Sequence, residues 1–591
     1  MLQVAKTFYE NLFASEQDES QNEANSRKAA SFLSTLPLPK LSPEQQAELT
    51  RPASEEEVRK LFSRLKPGKA PGHDGLGNDV YKAYAEVLTK PITQLIQQLQ
   101  VNPEVPEEML RAILVPFYKG KNEREDLKNW RPVSLVCTDY KLLSLFIVSR
   151  LTPLMQHLVS PGQTSSVPGR TTFDNIHAVR LLRHLTTLNK NIDSVFIFVD
   201  SEKAFDRVEW RYLWDVLSEM NFPLQFIALV QGMYTNATAQ VRVNGHLTPR
   251  FALGRGVRQG CPASPLLYVL SLEPVRLLID AIVKREEGGK PEWLPPDIQS
   301  TFAHADDLVI IVSSVQVRVV LCEVERVTKE ELKSGFQMNR EKTEALHTRA
   351  DTVPPVDQQL IPSHAWEDKE LMHLGLPLGG VDTEGRAKQT AKKRVLEKLK
   401  LVAPSRLPAL ETAKLLNSKV AGALQFYAQT VECTEKEARK LNEKINEGFW
   451  GPGSARQKYV KFQRLTMPVS EGGVGLIDVP VWLEAFRRNQ LVRLHRATVR
   501  EEDDRKLVHT DKTLPSIFNH VVNAICVTKG MPCRKGSFFY LAPEVRIEIA
   551  SAFPPYWTAV LNHFERTLGK KHSMERVWKR VSVSMLFLRV M

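Results

Sequence analysis

Cysteine is scarce in this chain, and what there is stands apart. The six cysteines, at 137, 261, 322, 433, 526 and 533, form no CxxC pair and join no histidine at zinc-site spacing. The pattern argues against a zinc-built domain and against a disulfide scaffold, and predicts free thiols in a reducing compartment. Long apolar runs are missing too: none reaches the roughly 18 residues a membrane helix needs. The opening MLQVAKTFYENLFASEQ has no basic segment followed by an apolar one, so it does not read as a signal peptide. No internal repeat is visible. These absences predict an intracellular, soluble protein with no membrane partner.

What is present is the composition of a folded chain, 42% hydrophobic and 25% charged over 591 residues, a length that implies several units. The net charge of +12 is the compositional bias that stands out. A chain this basic often meets a polyanion, though many basic proteins bind none.

Along the chain, residues 7–26 carry several acids and no Lys or Arg, and read as a solvated, partly disordered leader after a short helix. Ser42 with Pro43, and then Ser54, are placed to open two helices. KPGKAPGHDGL is a loop feeding a helix near residue 77. AILVPFY and RPVSL read as strands. VFIFV is a buried strand, after which Ala204, Phe205, Val208, Tyr212 and Leu213 follow helical spacing. AQVRVNGHLTPRFAL is a hairpin turning at Asn244–Gly245. SPLLYVLSLEPVRLLIDAIV is a long apolar helix. Residues 386–408 hold eight Lys or Arg against one acid, Glu397, and predict a basic amphipathic helix. Taken alone, that helix reads as a solvated face.

The chemistry centres on acids borne by strands. Asp200 ends the VFIFV strand, and Asp306 and Asp307 occupy the turn of TFAHADDLVII, a strand–turn–strand. A lone Asp after a strand usually caps the next helix, and an Asp–Asp pair usually caps a turn. If the strands are neighbours, three carboxylates converge, and like charges raise one another's pKa unless a cation neutralises them. Oxygen ligands select a hard cation, Mg²⁺ or Mn²⁺, and two such ions form the clamp of phosphoryl transfer. Between the two acid sites lies GRGVRQGCPASPLL, whose glycines permit close backbone approach and whose Arg258 and Gln259 offer donors.

The ordered blocks FVDSEKAFDRV, GVRQGCPASPLL, AHADDLVII, SGFQMNREKTEAL and HLGLPLG resemble the palm of reverse transcriptases, and more closely that of the non-LTR (LINE-type) retrotransposon polymerases. KPGKAPGHDGL, NWRPVSLVCTDYKLLSLFIVSRL, QTSSVPGRTTFDNI, LSLEP and FWGPG…EGGVGLIDV are similar to that branch's own blocks, so the resemblance runs from about residue 60 to 480. It implies an α+β right-hand fold. Residues 1–50 would be a leader, 51–165 the fingers, 94–378 the reverse transcriptase domain of fingers plus palm, 379–484 a helical thumb, and 485–591 a helical extension of no assigned role. It implies an RNA-directed DNA polymerase working with two Mg²⁺ (or Mn²⁺) on an RNA template, a DNA primer from a target site, and dNTPs. An endonuclease of the parent element would lie outside this chain, and the place of action would be the nucleus, after a cytoplasmic ribonucleoprotein stage.

Carried over by position, Asp200, Asp306 and Asp307 would bind the metals, with Ser201 lending a backbone carbonyl. Phe205 would block a ribose 2′-hydroxyl, although by spacing alone it is a core aromatic. Arg131, with Lys119 or Lys121, would meet the triphosphate. Gln259 would approach the nucleotide sugar and Lys342 the leaving pyrophosphate, where it could act as a general acid. HLGLPLG, with Gly375, resembles the primer grip, and Lys392, Lys393 and Arg394 of the basic helix would track duplex phosphates.

Two positions depart from the family: Ala263, mildly, where Leu or another small apolar residue is usual, and His304, where Tyr or Phe is usual. A neutral imidazole can replace the ring, whereas a protonated one would compete with metal. Two other readings follow, a nucleic-acid-binding remnant without catalysis and a group II intron maturase-like or RNA-making polymerase. Nucleotide incorporation separates the first; dNTP against NTP use and a splicing assay separate the second.

Overall fold

The computed structural model describes residues 1–17, 22–120, 123–189, 191–286, 289–349, 371–378, 383–400, 407–450, 460–498, 513–529 and 543–568, with Ile361 and Phe538. Among these the chain is a mixture of helices and small, mainly antiparallel sheets.

The first sheet runs β2–β1–β4–β5, with β6 also paired to β4. Its strands are β1 (Arg111–Tyr118), β2 (Trp130–Leu135), β4 (Thr238–Val243), β5 (His246–Leu247) and β6 (Phe251–Ala252). The β4–β5 turn is the expected Asn244–Gly245, both at positive φ (50° and 85°), as a two-residue hairpin of matching twist demands.

The second sheet runs β7–β8–β3–β9, all antiparallel: β7 (Thr301–His304), β8 (Asp307–Val312), β3 (Val195–Val199) and β9 (Glu344–His347). Its side chains alternate between two cores. Val195, Ile197, Val199, Leu308, Ile310 and Val312 face the largest core, together with the long helix Ser264–Arg285. Phe196, Val309, Ile311 and Phe302 face the other way, into a core shared with helices Thr513–Thr528, Pro543–Ser551 and Pro555–Leu568. Burial on both faces is why VFIFV and LVIIV are unbroken apolar runs. Part of the C-terminal extension is therefore the covering layer of this sheet.

The leader corrects the sequence reading. Helix Leu2–Phe13 buries Ala5, Tyr9 and Phe13, one stripe at four-residue spacing, against β4 and β6. The Phe13 carbonyl accepts the N–H groups of Gly254 and Arg255 at 2.9 and 3.1 Å. Helix Asn22–Leu33 lies against helix Trp210–Glu219, where Ser26 Oγ donates to Asp215 at 2.6 Å. Of the acids, Glu10 pairs with Lys6 on its own helix (2.9 Å) and Glu16 with the buried Arg255 (2.7 Å). Residues 18–21 of the leader lie outside the described residues.

A second difference follows β3. Helical spacing from Ala204 predicts one helix, but there are two, Ala204–Arg207 and Trp210–Glu219. At the break the Glu209 N–H donates to the Ser334 carbonyl (3.2 Å), and the Val208 carbonyl accepts from Gly256 (2.8 Å). Bonds to distant segments of the chain replace helical ones there.

The basic helix is Thr383–Lys400, with Ala387, Ala391, Val395 and Leu399 buried against helices Ala409–Thr430 and Glu435–Trp450. The stretch 401–406 of the predicted basic segment lies outside the described residues. No helix among the described residues is long and apolar enough to cross a membrane.

Candidate active site

The β3–β8 register sets the site. Val199 pairs with Leu308, so the next step outward brings Asp200 beside Asp307. His304 pairs with Asp307 across the β7–β8 turn, which consists of Ala305 (φ 56°) and Asp306. The three acids thus converge at one end of the sheet, as expected. All three are open to solvent on one side, yet protein surrounds Asp200 and Asp307 closely enough for burial to be the main upward influence on their carboxyls. Burial, then Asp306 and Asp200, push Asp307 up to about 6. Asp200 is raised by burial and Asp306, against the pull of Lys342 and Lys119.

Ser201 forms an isolated antiparallel bridge with Met338. Its neighbours make the bonds: the Asp200 carbonyl accepts from Asn339 (2.8 Å) and the Glu202 N–H donates to Gln337 (2.9 Å). That alternation turns the Ser201 carbonyl away from the 337–339 segment, free for other use. Among the described residues no group of three or more His, Cys, Asp or Glu side chains could by itself hold a metal ion. The donor set, three converging carboxylates plus a backbone carbonyl, fits a hard divalent cation that takes its remaining oxygens from substrate and water.

His304 is braced on both ring nitrogens. Nδ1 lies 3.0 Å from Thr164 Oγ1 and Nε2 lies 3.0 Å from Thr172 Oγ1. Burial lowers its pKa, outweighing the pull of Asp306, so the ring is neutral beside the acids at neutral pH. The Gln163 side chain clamps the turn itself: Oε1 accepts from the Ala305 N–H at 3.1 Å and Nε2 donates to its carbonyl at 3.4 Å. Gln163, Thr164 and Thr172 are site residues that sequence reasoning did not single out.

Cations ring the acids. Lys119 follows β1, its N–H bonded to the Asn129 carbonyl at 2.9 Å, and Asp200, Asp206, Lys342 and Arg131 all influence its charge. Burial lowers the Lys119 pKa first, and Lys342 and Arg131 lower it further. Arg131 sits across from Phe117 on β2 and pulls the Asp307 carboxyl down. Lys342 does the same to Asp200. Lys119, Arg131 and Lys342 thus lie within electrostatic reach of the acids, while Lys121 lies outside the described residues.

Phe205 is half-buried and stacks on the buried Tyr268, with centroids 4.4 Å apart and planes at 14°. Gln259 Nε2 donates to Asp206 Oδ1 at 2.8 Å. Asp206 is 1% exposed, a buried acid that sequence reasoning also missed.

At the expected primer grip, β10 (Met372–His373) and β11 (Leu376–Pro377) join through Leu374 and Gly375, both at positive φ (48° and 83°). A Cβ on Gly375 would stand 2.7 Å from an Arg394 guanidinium nitrogen, and Arg394 also lies over the Phe426 ring at 4.8 Å. Arg394, on helix Thr383–Lys400, therefore approaches the turn closely enough that a side chain at 375 would clash with it. Lys393 is exposed, 3.9 Å from Glu397, and Lys392 is half-buried.

Residues 118–378 match the family described as reverse transcriptase (RNA-dependent DNA polymerase). The chain is 28% identical over 506 residues to the transposon TX1 uncharacterized 149 kDa protein of Xenopus laevis, covering 83% of this chain and 36% of that one. It is 27% identical over 217 residues to a probable RNA-directed DNA polymerase from transposon X-element of Drosophila melanogaster, covering 36% and 24%. It is 25% identical over 252 residues to the Pol polyprotein of the type-2 retrotransposable element R2DM of the same fly, covering 42% and 22%. The chain thus spans between 22% and 36% of these relatives' lengths.

Proposed function

We propose that this chain, whose residues 118–378 form a reverse transcriptase domain of the non-LTR retrotransposon type, is an RNA-directed DNA polymerase that extends a DNA primer with dNTPs. The observation that carries the reading is the convergence of Asp200 with the Asp306–Asp307 turn at one end of a double-buried sheet, ringed by Lys119, Arg131 and Lys342.

Each part has a task. Asp200, Asp306, Asp307 and the Ser201 carbonyl would hold two divalent cations, Mg²⁺ by their oxygen chemistry. Such ions supply an activated 3′-hydroxyl and charge relief at the phosphates. Arg131 and Lys119 orient the triphosphate, and Lys342 can give a proton to the departing pyrophosphate. Phe205, backed by Tyr268, stands as the flat wall against a 2′-hydroxyl. Residues 51–165 act as fingers, the β3–β8 sheet as palm, and the bundle built on Thr383–Lys400 as thumb, its Lys392 and Lys393 facing duplex phosphates. The neutral, doubly bonded His304 favours a working site over a dead remnant.

The test is sugar choice. Purified chain with a DNA primer on an RNA template and Mg²⁺ is supplied with dNTPs or NTPs. Extension by dNTPs alone is expected. Equal use of NTPs, or duplex binding without any incorporation, contradicts the proposal.

A further inference from the structure

A carboxylate sealed inside a protein is costly unless something uses it. Asp206 is sealed at 1% exposure on the short helix that follows Asp200, and its Oδ2 has no hydrogen-bond partner among the described residues. Its Oδ1 has one, the side-chain amide of Gln259 at 2.8 Å. Burial raises its pKa to about 7, while Lys203, the Gln259 N–H and Lys119 favour the ionised form.

Gln259 is fixed at its other end as well. Its backbone carbonyl accepts the Ser134 N–H of β2 at 2.7 Å. The loop that carries it lies on the Asp206 backbone: a Cβ on Gly256, which has φ +88°, would stand 2.7 Å from the Asp206 carbonyl oxygen. The Val257 N–H donates to the Phe205 carbonyl at 2.8 Å. Asp206 thus sits directly after Phe205 on the short helix Ala204–Arg207, with the Gln259 loop packed against that helix.

An amide side chain has two unlike ends, and alone it presents either. An ionised carboxylate only accepts, so it can face only the NH₂ end. We infer that Asp206 is a positioning residue for the incoming nucleotide: it sets the Gln259 amide in one of its two orientations, committing the Oε1 acceptor and the second N–H to the deoxyribose of the dNTP. The inference rests on the polymerase reading and adds a residue to it. A carbonyl oxygen held in that orientation accepts from a sugar hydroxyl; a flipped amide would meet the same hydroxyl with an NH₂.

The experiment reads dNTP affinity without chemistry. The full chain is bound to an RNA template and a dideoxy-terminated DNA primer with Mg²⁺ at pH 8, where Asp206 is ionised, and the Kd of the next dNTP is measured. Asp206→Leu and Gln259→Ala each weaken dNTP binding by about tenfold, the scale of one charge-assisted hydrogen bond. The double variant is no weaker than either single one, because both remove the same contact. Asp206→Asn, whose own amide can present either end to Gln259, recovers only part of the loss. Asp206→Ser, too short to reach the amide, repeats the test if the leucine variant fails to fold. Unchanged affinity in Asp206→Leu, losses that multiply in the double variant, or an asparagine that binds dNTP as tightly as the parent overturns the inference while leaving the polymerase intact. A parent chain that holds primer–template yet binds no dNTP overturns both.

Discussion

Thr172 Oγ1 lies 3.0 Å from His304 Nε2, so the first residue of helix Thr172–Leu188 touches the residue that leads into the Ala305–Asp306 turn. With Thr164 on Nδ1, the imidazole bridges two segments of the chain. His304→Ala removes both bonds and loosens the turn. Single-turnover incorporation should fall by about tenfold or more, and primer–template affinity should change little. Thr172→Val, which deletes one neutral hydrogen bond worth about 1 kcal/mol, should give a smaller loss in the same assay.

The brace behind that turn begins with a buried ion pair. Glu273 and Arg276 of helix Ser264–Arg285 are both fully buried and 3.0 Å apart. Glu273 also accepts from the Ser160 N–H (2.9 Å), and Arg276 donates to the Pro161 carbonyl (2.6 Å), just ahead of Gln163 and Thr164. Glu273→Ala leaves an uncompensated buried guanidinium. Urea unfolding should show a loss of about 3–5 kcal/mol.

A buried histidine makes the C-terminal junction sensitive to acid. His177 stacks on Tyr556 at 4.6 Å, meets Trp557 edge-on at 5.0 Å, and donates Nε2–H to the Gln429 carbonyl at 2.7 Å. Burial, with help from Arg180, lowers its pKa from 6.5 to about 3. The unfolded chain therefore binds this proton first as pH falls, so the stability is full above 6.5 and declines towards 3. Melting temperatures over that range should fall less steeply with acid in His177→Phe than in the parent.

Trp557 is 1% exposed in the core shared by the sheet and the C-terminal helices. Trp557→Ala should cost about 3–5 kcal/mol in urea unfolding. A neutral result would mean that these helices do not cover the sheet.

The acids were legible in the sequence because strand period and position decide where Asp200, Asp306 and Asp307 fall: each borders an apolar run that must be buried. The hairpin at Asn244–Gly245 was legible for the same local reason. Asp206 was not, since one more acid on a short helix looks like a solvated face until the loop carrying Gln259 closes over it. Thr164 and Thr172 were silent because a threonine has no pattern of its own; only the fold brings both to one imidazole. The leader misled through its acids, while the Ala5, Tyr9 and Phe13 stripe was present but short. The C-terminal helices gave no motif because their task is to fill space against Phe196, Val309 and Ile311.

The most direct measurement is extension of a DNA primer on an RNA template by the parent chain and by Asp306→Ala, with Mg²⁺ and dNTPs. The account predicts elongated products from the parent and none from the variant, with both binding the primer–template alike. Equal extension by the two, or none by a parent that binds the duplex, would contradict it.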